Sequence, residues 1–244
     1  MPRSPANADD LKRMAAKAAA AIVESGMTLG LGTGSTAAKL IDELALRAKG
    51  GLKIVCVPTS EATRKLAETA GLKLTTLDQT PHLDLTIDGA DEIDRVLTLI
   101  KGGGGALLRE KIVATASDRM VVIADISKKV PALGAFPLPV EVVPFGVTAT
   151  RNMVAAMVRE IGYDGTIALR KGKDGKPFVT ENGNLILDCA FGRIGEPLDL
   201  AAALRIIPGV VEHGLFIGLC DQAFIAGPDG VEEMIAPGLV EPMN

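Results

Sequence analysis

The sequence predicts an α/β protein: a parallel sheet covered by helices, with a smaller α+β unit inserted late in the chain. Three observations carry this. Short apolar runs alternate with helical segments through the first half of the chain, the order that builds a parallel sheet with helices on both faces. A proline-rich stretch, PALGAFPLPVEVVP (131–144), then ends the alternation. Beyond it the order becomes strand, helix, strand, strand, helix, strand, a split-βαβ arrangement.

Taken in order, the first 26 residues are charged through their first half, and Lys12, Arg13, Lys17 and Glu24 interrupt the apolar stretch. That pattern predicts an amphipathic helix and not a signal peptide. MTLGLG (27–32) reads as a strand ending in glycine, and STAAKLIDELALRAKG (35–50) as a helix with Ser35 as its N-cap. LKIVCVP (52–58), DLTID (84–88) and RMVVIAD (119–125) read as further strands, and SEATRKLAETAG (60–71) and ALLREKIVATAS (106–117) as the helices among them. Right-handed crossovers place the C-terminal ends of these strands along one edge, where α/β sheets bind ligands.

After the prolines come a strand (140–144), a helix (148–162), a strand (166–171), the hairpin-like KGKDGKP (171–177), a strand (184–191), a helix (198–209) and a strand, VVEHGLF (210–216). FIAGPDGVEEM (224–234) returns to the main sheet. The predicted domains are therefore 1–132 with 217–244, and an inserted unit of 133–216.

Composition narrows the function. The chain has 244 residues, 48% apolar and 23% charged, enough for a sizeable core. A net charge of −4 and 3% aromatic residues give no footprint for a phosphate polymer and little to stack on bases, so nucleic acid is not an expected partner. No window approaches the roughly 20 apolar residues of a membrane span. Cys56, Cys189 and Cys220 are odd in number and widely spaced among apolar neighbours, which predicts buried, reduced thiols and a cytoplasmic setting.

Three glycine-bearing motifs fall at the predicted ligand edge. In GLGTGSTAAK, Gly32, Gly34 and Ala37 match the dinucleotide fingerprint, yet no acid stands at the end of the next strand, where Val57, Pro58 and Thr59 occur. A helix N-terminus with the hydroxyls of Thr33, Ser35 and Thr36 serves a small phosphate equally well, and a plain tight turn is a further reading. In TIDGADEID (86–94), Asp88, Asp91, Glu92 and Asp94 crowd a strand end, and like charges raise one another's pKa. Metal binding, acid/base chemistry and a solvated acidic turn remain open there; the spacing is not that of a calcium loop, and nothing supplies a dedicated magnesium cage.

In KGGGGALLREK (101–111), four consecutive glycines follow Lys101, a costly run unless the backbone takes a special path or approaches a ligand. Arg109, Glu110 and Lys111 are consecutive and cannot share one helix face. Glu110 projects toward Ala106 and Val113, so it is either a desolvated carboxylate with a raised pKa or a member of a surface ion pair. His82 and His213 lie outside these motifs and read as loop or core residues, and no Ser-His-Asp, Cys-His or zinc set assembles. The chemistry then falls to carboxylates and lysine. Lys128, after the 119–125 strand, shares the same edge as an anion ligand or an exposed side chain.

GTGSTA (32–37), IDGADE (87–92), KGGGGALLREK (101–111), ADISK (124–128), FPLPVEV (136–142) and TENGNLILD (180–188) together resemble type A ribose-5-phosphate isomerases over almost the whole chain. The resemblance implies a Rossmann-like parallel-sheet domain with a ferredoxin-like lid, interconversion of ribose 5-phosphate and ribulose 5-phosphate without metal or organic cofactor, and a homodimer or homotetramer. It implies that Glu110 is the general base, working through a cis-enediolate. Asp88 and Asp91 serve ring opening and proton movement between O1 and O2. Lys101 and the amides of Gly102, Gly103 and Gly104 stabilise the oxyanion. Thr33, Gly34, Ser35 and Thr36, with Gly89 and Ala90 of the acidic loop, line the sugar phosphate, and Lys12 and Lys128 meet its phosphate. The chain departs from the family pattern at Gly105, where alanine is common, and at Leu108, where threonine is common. Two rival functions are a sugar-phosphate sensor without turnover, which no helix-turn-helix or basic segment supports, and a nicotinamide-dependent oxidoreductase.

Overall fold

The computed structural model describes residues 7–237. The outermost parts of the predicted 1–132 and 217–244 domain, residues 1–6 and 238–244, lie outside the described residues.

Helix α1 (Ala8–Ala21) is capped by Asn7, whose side chain accepts from the Asp10 amide at 2.9 Å. It buries Leu11, Ala15, Ala16, Ala19 and Ala20, and these small side chains let it lie close against the next helix and the central sheet. There follow β1 (Thr28–Leu31), α2 (Ser35–Lys49), β2 (Val55–Pro58), α3 (Glu61–Thr69) and β3 (Leu85–Asp88). Two short strands, β4 (Glu92–Ile93) and β5 (Leu99–Ile100), precede α4 (Leu107–Thr115) and β6 (Met120–Asp125). The inserted stretch holds β7 (Leu138–Val142), α5 (Val147–Glu160), β8 (Thr166–Leu169), β9 (Leu185–Ala190), α6 (Pro197–Arg205), β10 (Val210–His213) and β11 (Leu215–Phe216). The hairpin β12 (Gln222–Gly227) and β13 (Gly230–Ile235) closes the described chain.

The central sheet runs β13-β12-β6-β3-β1-β2, parallel throughout except for the edge strand β13. Every residue of β3 and β6 is buried, as continuous apolar strands between two helical layers require. The second sheet, β10-β7-β9-β8, is antiparallel and carries α5 and α6, which is the ferredoxin-like order for a split-βαβ unit. The protein is thus of the expected α/β class.

A third sheet, β11-β5-β4, was not predicted. Its strands are two residues long, too short to show alternation. VVEHGLF, read above as one strand, divides at Gly214. There the Lys101 amide donates to the Gly214 carbonyl at 2.8 Å and the Gly214 amide donates to Pro139 at 2.7 Å. A Cβ on Gly214 would lie 2.2 Å from the Lys101 carbonyl oxygen, so only glycine admits this crossing.

Another close approach sets the depth of α4. A Cβ on Gly30 of β1 would stand 2.0 Å from Thr86 Oγ1 and 2.5 Å from Val113 Cγ1 of α4. Gly30→Ala is therefore expected to lower the unfolding free energy by about 1–3 kcal/mol through overpacking, read from urea denaturation midpoints. An unchanged midpoint would mean that α4 does not press on the sheet at this point.

Candidate active site

At the C-terminal edge of the parallel sheet, β1, β3, β5 and α4 converge on an open cavity of about 220 Å³. Glycine makes the convergence possible. The Gly32 amide donates to Ile87 at 3.0 Å, and a Cβ there would be 1.9 Å from Asp88 Oδ1. Gly34, at φ 110°, is the N-cap of α2 and brings no capping side chain, so Ser35 is the first helical residue and not the cap expected above. The first-turn amides of α2 are left to face the cavity beside Ser35 and Thr36.

Behind the cavity lies a buried charge cluster. Lys101 Nζ is 2.9 Å from Asp88 Oδ2, 3.3 Å from Glu110 Oε2 and 2.5 Å from the Gly89 carbonyl oxygen. The three charged residues are 3%, 0% and 4% exposed for Lys101, Asp88 and Glu110, so solvent screens none of them. Asp88 Oδ1 also accepts from the amides of Thr33 at 3.1 Å and Gly89 at 2.7 Å. Glu110 Oε2 has no hydrogen-bond partner among the described residues beyond its ion pair with Lys101.

This asymmetry separates the two carboxylates. Burial pushes both upward from the ordinary carboxylate range, against the pull of Lys101. Asp88 holds its charge on two amides and the nearer ammonium contact, whereas Glu110 is pushed up to about 8 by burial and by the Asp88 charge. Burial by itself would lower the Lys101 ammonium; Asp88 and Glu110 more than offset it and hold it above its usual range. The cluster therefore contains a permanent ammonium, an anchored carboxylate and a carboxyl poised to gain or lose a proton near neutral pH.

Helix α4 places Glu110 among Leu107, Val113 and Ala114 on its buried face. The flanking residues turn outward to grip the inserted unit. Arg109 reaches Glu181 at 2.5 Å and Asn182 at 3.0 Å; Lys111 reaches Glu212 at 2.8 Å and the His213 carbonyl at 2.7 Å. Consecutive Arg-Glu-Lys thus serves three different surroundings.

The expected site residues nearly all line this one cavity: Thr33, Gly34, Ser35 and Thr36 from the first loop, Gly89, Ala90 and Asp91 from the second, and Lys101, Gly102, Gly103, Gly104 and Glu110 from the third. Lys12 of α1 and Lys128, in a single 3-10 turn after β6, complete it from the far side. Asp88 is the exception. It has no exposed surface and is paired with Lys101, whereas Asp91 lines the cavity. The Thr33 hydroxyl also departs from the expected phosphate contact, since it is 2.8 Å from both Thr59 Oγ1 and Ser60 Oγ.

The acidic motif divides in two. Glu92 accepts the amides of Gly134 at 2.7 Å and Phe136 at 2.6 Å, and Asp94 those of Val96 and Thr98, so both are structural. Asp91 instead accepts the Gly103 amide at 2.7 Å. His82 is an exposed partner of Asp118. His213 is buried, with Nε2 lacking a hydrogen-bond partner among the described residues, and burial followed by Lys111 lowers it to about 4. The three cysteines are free and buried, and burial pushes each thiol up to about 12. Among the described residues no group of three or more His, Cys, Asp or Glu is arranged to hold a metal, and no helix is long and apolar enough to cross a membrane.

Sequence reasoning missed Arg170, Asp188 and Phe178. Arg170 NH1 donates to Gly102 O at 2.7 Å, its NH2 meets Asp188 at 2.5 Å, and the Phe178 ring lies where a Gly105 Cβ would come within 2.5 Å. Asp188 ends TENGNLILD, the one signal that pointed to this region. Gly105, the departure from the family pattern, has φ 81°, and the Phe178 ring explains why alanine does not fit here.

The chain is similar to known proteins along most of its length. A family model described as ribose 5-phosphate isomerase A (phosphoriboisomerase A) matches residues 55–230. Ribose-5-phosphate isomerase A of Bradyrhizobium diazoefficiens is 58% identical over 229 residues, covering 92% of this chain and 95% of the relative. That of Parvibaculum lavamentivorans is 56% identical over 226 residues, covering 93% and 98%. Among solved structures, ribose 5 phosphate isomerase A from Neisseria gonorrhoeae superposes with a TM-score of 0.86 at 37% identity, covering 95% of this chain and 99% of that one. A D-ribose-5-phosphate isomerase in complex with phospho-erythronic acid gives a TM-score of 0.87 at 37% identity, covering 94% and 100%. With a model match over more than half its length and relatives this similar along nearly all of it, the chain belongs to the ribose 5-phosphate isomerase A family.

Proposed function

We propose that this chain interconverts D-ribose 5-phosphate and D-ribulose 5-phosphate through a cis-enediolate, with Glu110 as the general base. The observation that carries the proposal is a cavity-lining carboxylate, Glu110, buried 3.3 Å from the Lys101 ammonium, where desolvation pushes its pKa up to about 8. Removing a proton from carbon next to a carbonyl needs a base tuned near neutral pH and a fixed positive charge where the oxyanion develops.

In the open-chain aldose, Glu110 takes the C2 proton and the electron pair moves to O1, where Lys101 and a loop amide meet the new charge. Asp91, the exposed aspartate, carries a proton from O2 to O1. Protonated Glu110 then returns its proton to C1, and the carbonyl is left at C2. Asp88 holds Lys101 in place and keeps it charged. The phosphate sits on the α2 amides with Lys12 and Lys128, remote from the reacting carbons, where its binding energy goes into alignment. Phospho-erythronic acid, bound by the relative described above, is a phosphorylated sugar acid whose planar carboxylate has the charge of an enediolate. In this reading the 133–216 unit is a lid, the reaction uses no cofactor, and the enzyme works in the cytoplasm as a homodimer or homotetramer.

Two predictions test the base. Glu110→Gln keeps binding of 4-phospho-erythronate within a few-fold and lowers kcat by about 10²–10⁴, measured as ketose formation from ribose 5-phosphate after EDTA treatment. A variant with full turnover removes Glu110 from the role, and wild-type binding without turnover indicates a sensor.

The second is pH dependence. Glu110 must be ionised to act, so kcat/KM rises through neutral pH and levels off above about 8. Its folded pKa lies above the ordinary 4.5, so its contribution to stability is complete below that value and is lost as pH rises through 8. Glu110→Gln removes this titration. The unfolding midpoint of the variant should gain on wild type between pH 5 and pH 9, and a gap that is constant with pH would contradict the raised pKa.

A further inference from the structure

Arg170 follows β8 and leaves the inserted unit toward the glycine loop. Its NH1 donates to the carbonyls of both Gly102 at 2.7 Å and Gly103 at 3.2 Å. Its Nε and NH2 pair with the two oxygens of Asp188 at 3.0 and 2.5 Å, and its guanidinium lies 5.9 Å from the centre of the Phe178 ring. The side chain is 13% exposed and its backbone is tied to Ile186 and Phe178, so the fork is fixed on every side.

A planar trans peptide sets each carbonyl opposite the following amide. Holding the Gly102 carbonyl therefore directs the Gly103 amide away from Arg170, onto Asp91 Oδ2 at 2.7 Å. Holding the Gly103 carbonyl directs the Gly104 amide the same way, on a residue that lines the cavity. Glycine has little intrinsic preference between these peptide orientations and their flipped forms. A flip of the Gly103–Gly104 peptide would present a carbonyl dipole, not an N–H, to a developing anion.

We propose that Arg170 is a positioning residue for the isomerase reaction: it aims the Gly104 amide at the oxyanion and, through the Gly103 amide, sets the orientation of Asp91. This rests on the enediolate reading of the site. Of the loop amides, Gly103 is already committed to Asp91, and Gly104 is the uncommitted donor whose peptide Arg170 holds through the Gly103 carbonyl. Arg170 never touches substrate. Its effect appears in the transition state and in analogues of it, and not in binding of the aldose.

The test compares wild type, Arg170→Met and Arg170→Lys by kcat, KM for ribose 5-phosphate, inhibition by 4-phospho-erythronate and thermal midpoint. For Arg170→Met the expected result is a fall in kcat of roughly 10²-fold, the lower end of the scale of losing an oxyanion donor, with KM within about threefold and inhibitor affinity falling with kcat. Arg170→Lys keeps the charge without the fork that spans two carbonyls and a carboxylate, so it restores stability but only part of kcat. If Arg170→Met does not fold, Arg170→Lys is read by the same criteria. A folded variant with kcat within about twofold of wild type, or with KM alone changed, overturns the proposal. Wild-type protein without turnover would instead overturn the enediolate reading on which it rests.

Discussion

One buried ammonium organises the centre of this protein. Lys101 Nζ sits between Asp88 and Glu110, and all three groups are removed from solvent. Burying two carboxylates around one ammonium leaves an excess negative charge, and in a low-dielectric interior that excess is relieved by keeping a proton on one of them. Asp88 has two amides besides Lys101, so Glu110 is the group that keeps the proton more readily. Close backbone approach then follows from the cluster: Gly32 passes Asp88 where no Cβ fits, and Gly214 crosses the Lys101 carbonyl. The wholly buried Phe216 ring has its centre 5.4 Å from Lys101 Nζ and 4.9 Å from Lys111 Nζ.

Helix α4 joins the two parts of the molecule. Its buried face delivers Glu110, and the residues on either side of Glu110 hold the unit that follows β6. Glu181 contributes at both ends of this contact, since it pairs with Arg109 and accepts the Glu61 amide at the start of α3 at 2.9 Å. The inserted sheet reaches the glycine loop through Arg170 as well. The position of the proposed base and the path of the glycine loop therefore both depend on how the antiparallel sheet and its flanking loops pack against α4.

Much of this was legible in the sequence because local patterns carried it. Apolar runs at strand spacing gave the parallel strands, and the split-βαβ order gave the antiparallel unit. The glycines at 32, 34 and 102–105 marked loops whose backbone approaches something closely. What was not legible depends on contacts far apart in the chain. Glu92 and Asp94 look like Asp91 in sequence, yet they satisfy amides near residues 134–136 and 96–98. Arg170 is an ordinary strand-end arginine until the fold brings it to residues 68 positions earlier. Thr33 reads as a phosphate ligand until three buried hydroxyl residues of the 59–63 segment claim its side chain. The two-residue strands of the third sheet carry no periodic signal at all.

The central claim is that a carboxylate at position 110 moves the proton between C2 and C1 through an enediolate stabilised by Lys101. Its most direct test is isomerisation of ribose 5-phosphate in D₂O, with the product's hydrogen content at C1 read by NMR for wild type and Glu110→Gln. The account predicts deuterium at C1 of the ketose with wild type, in the share of turnovers where protonated Glu110 exchanges before it returns its proton, and loss of both turnover and exchange in the variant. Turnover and exchange undiminished in Glu110→Gln would contradict it.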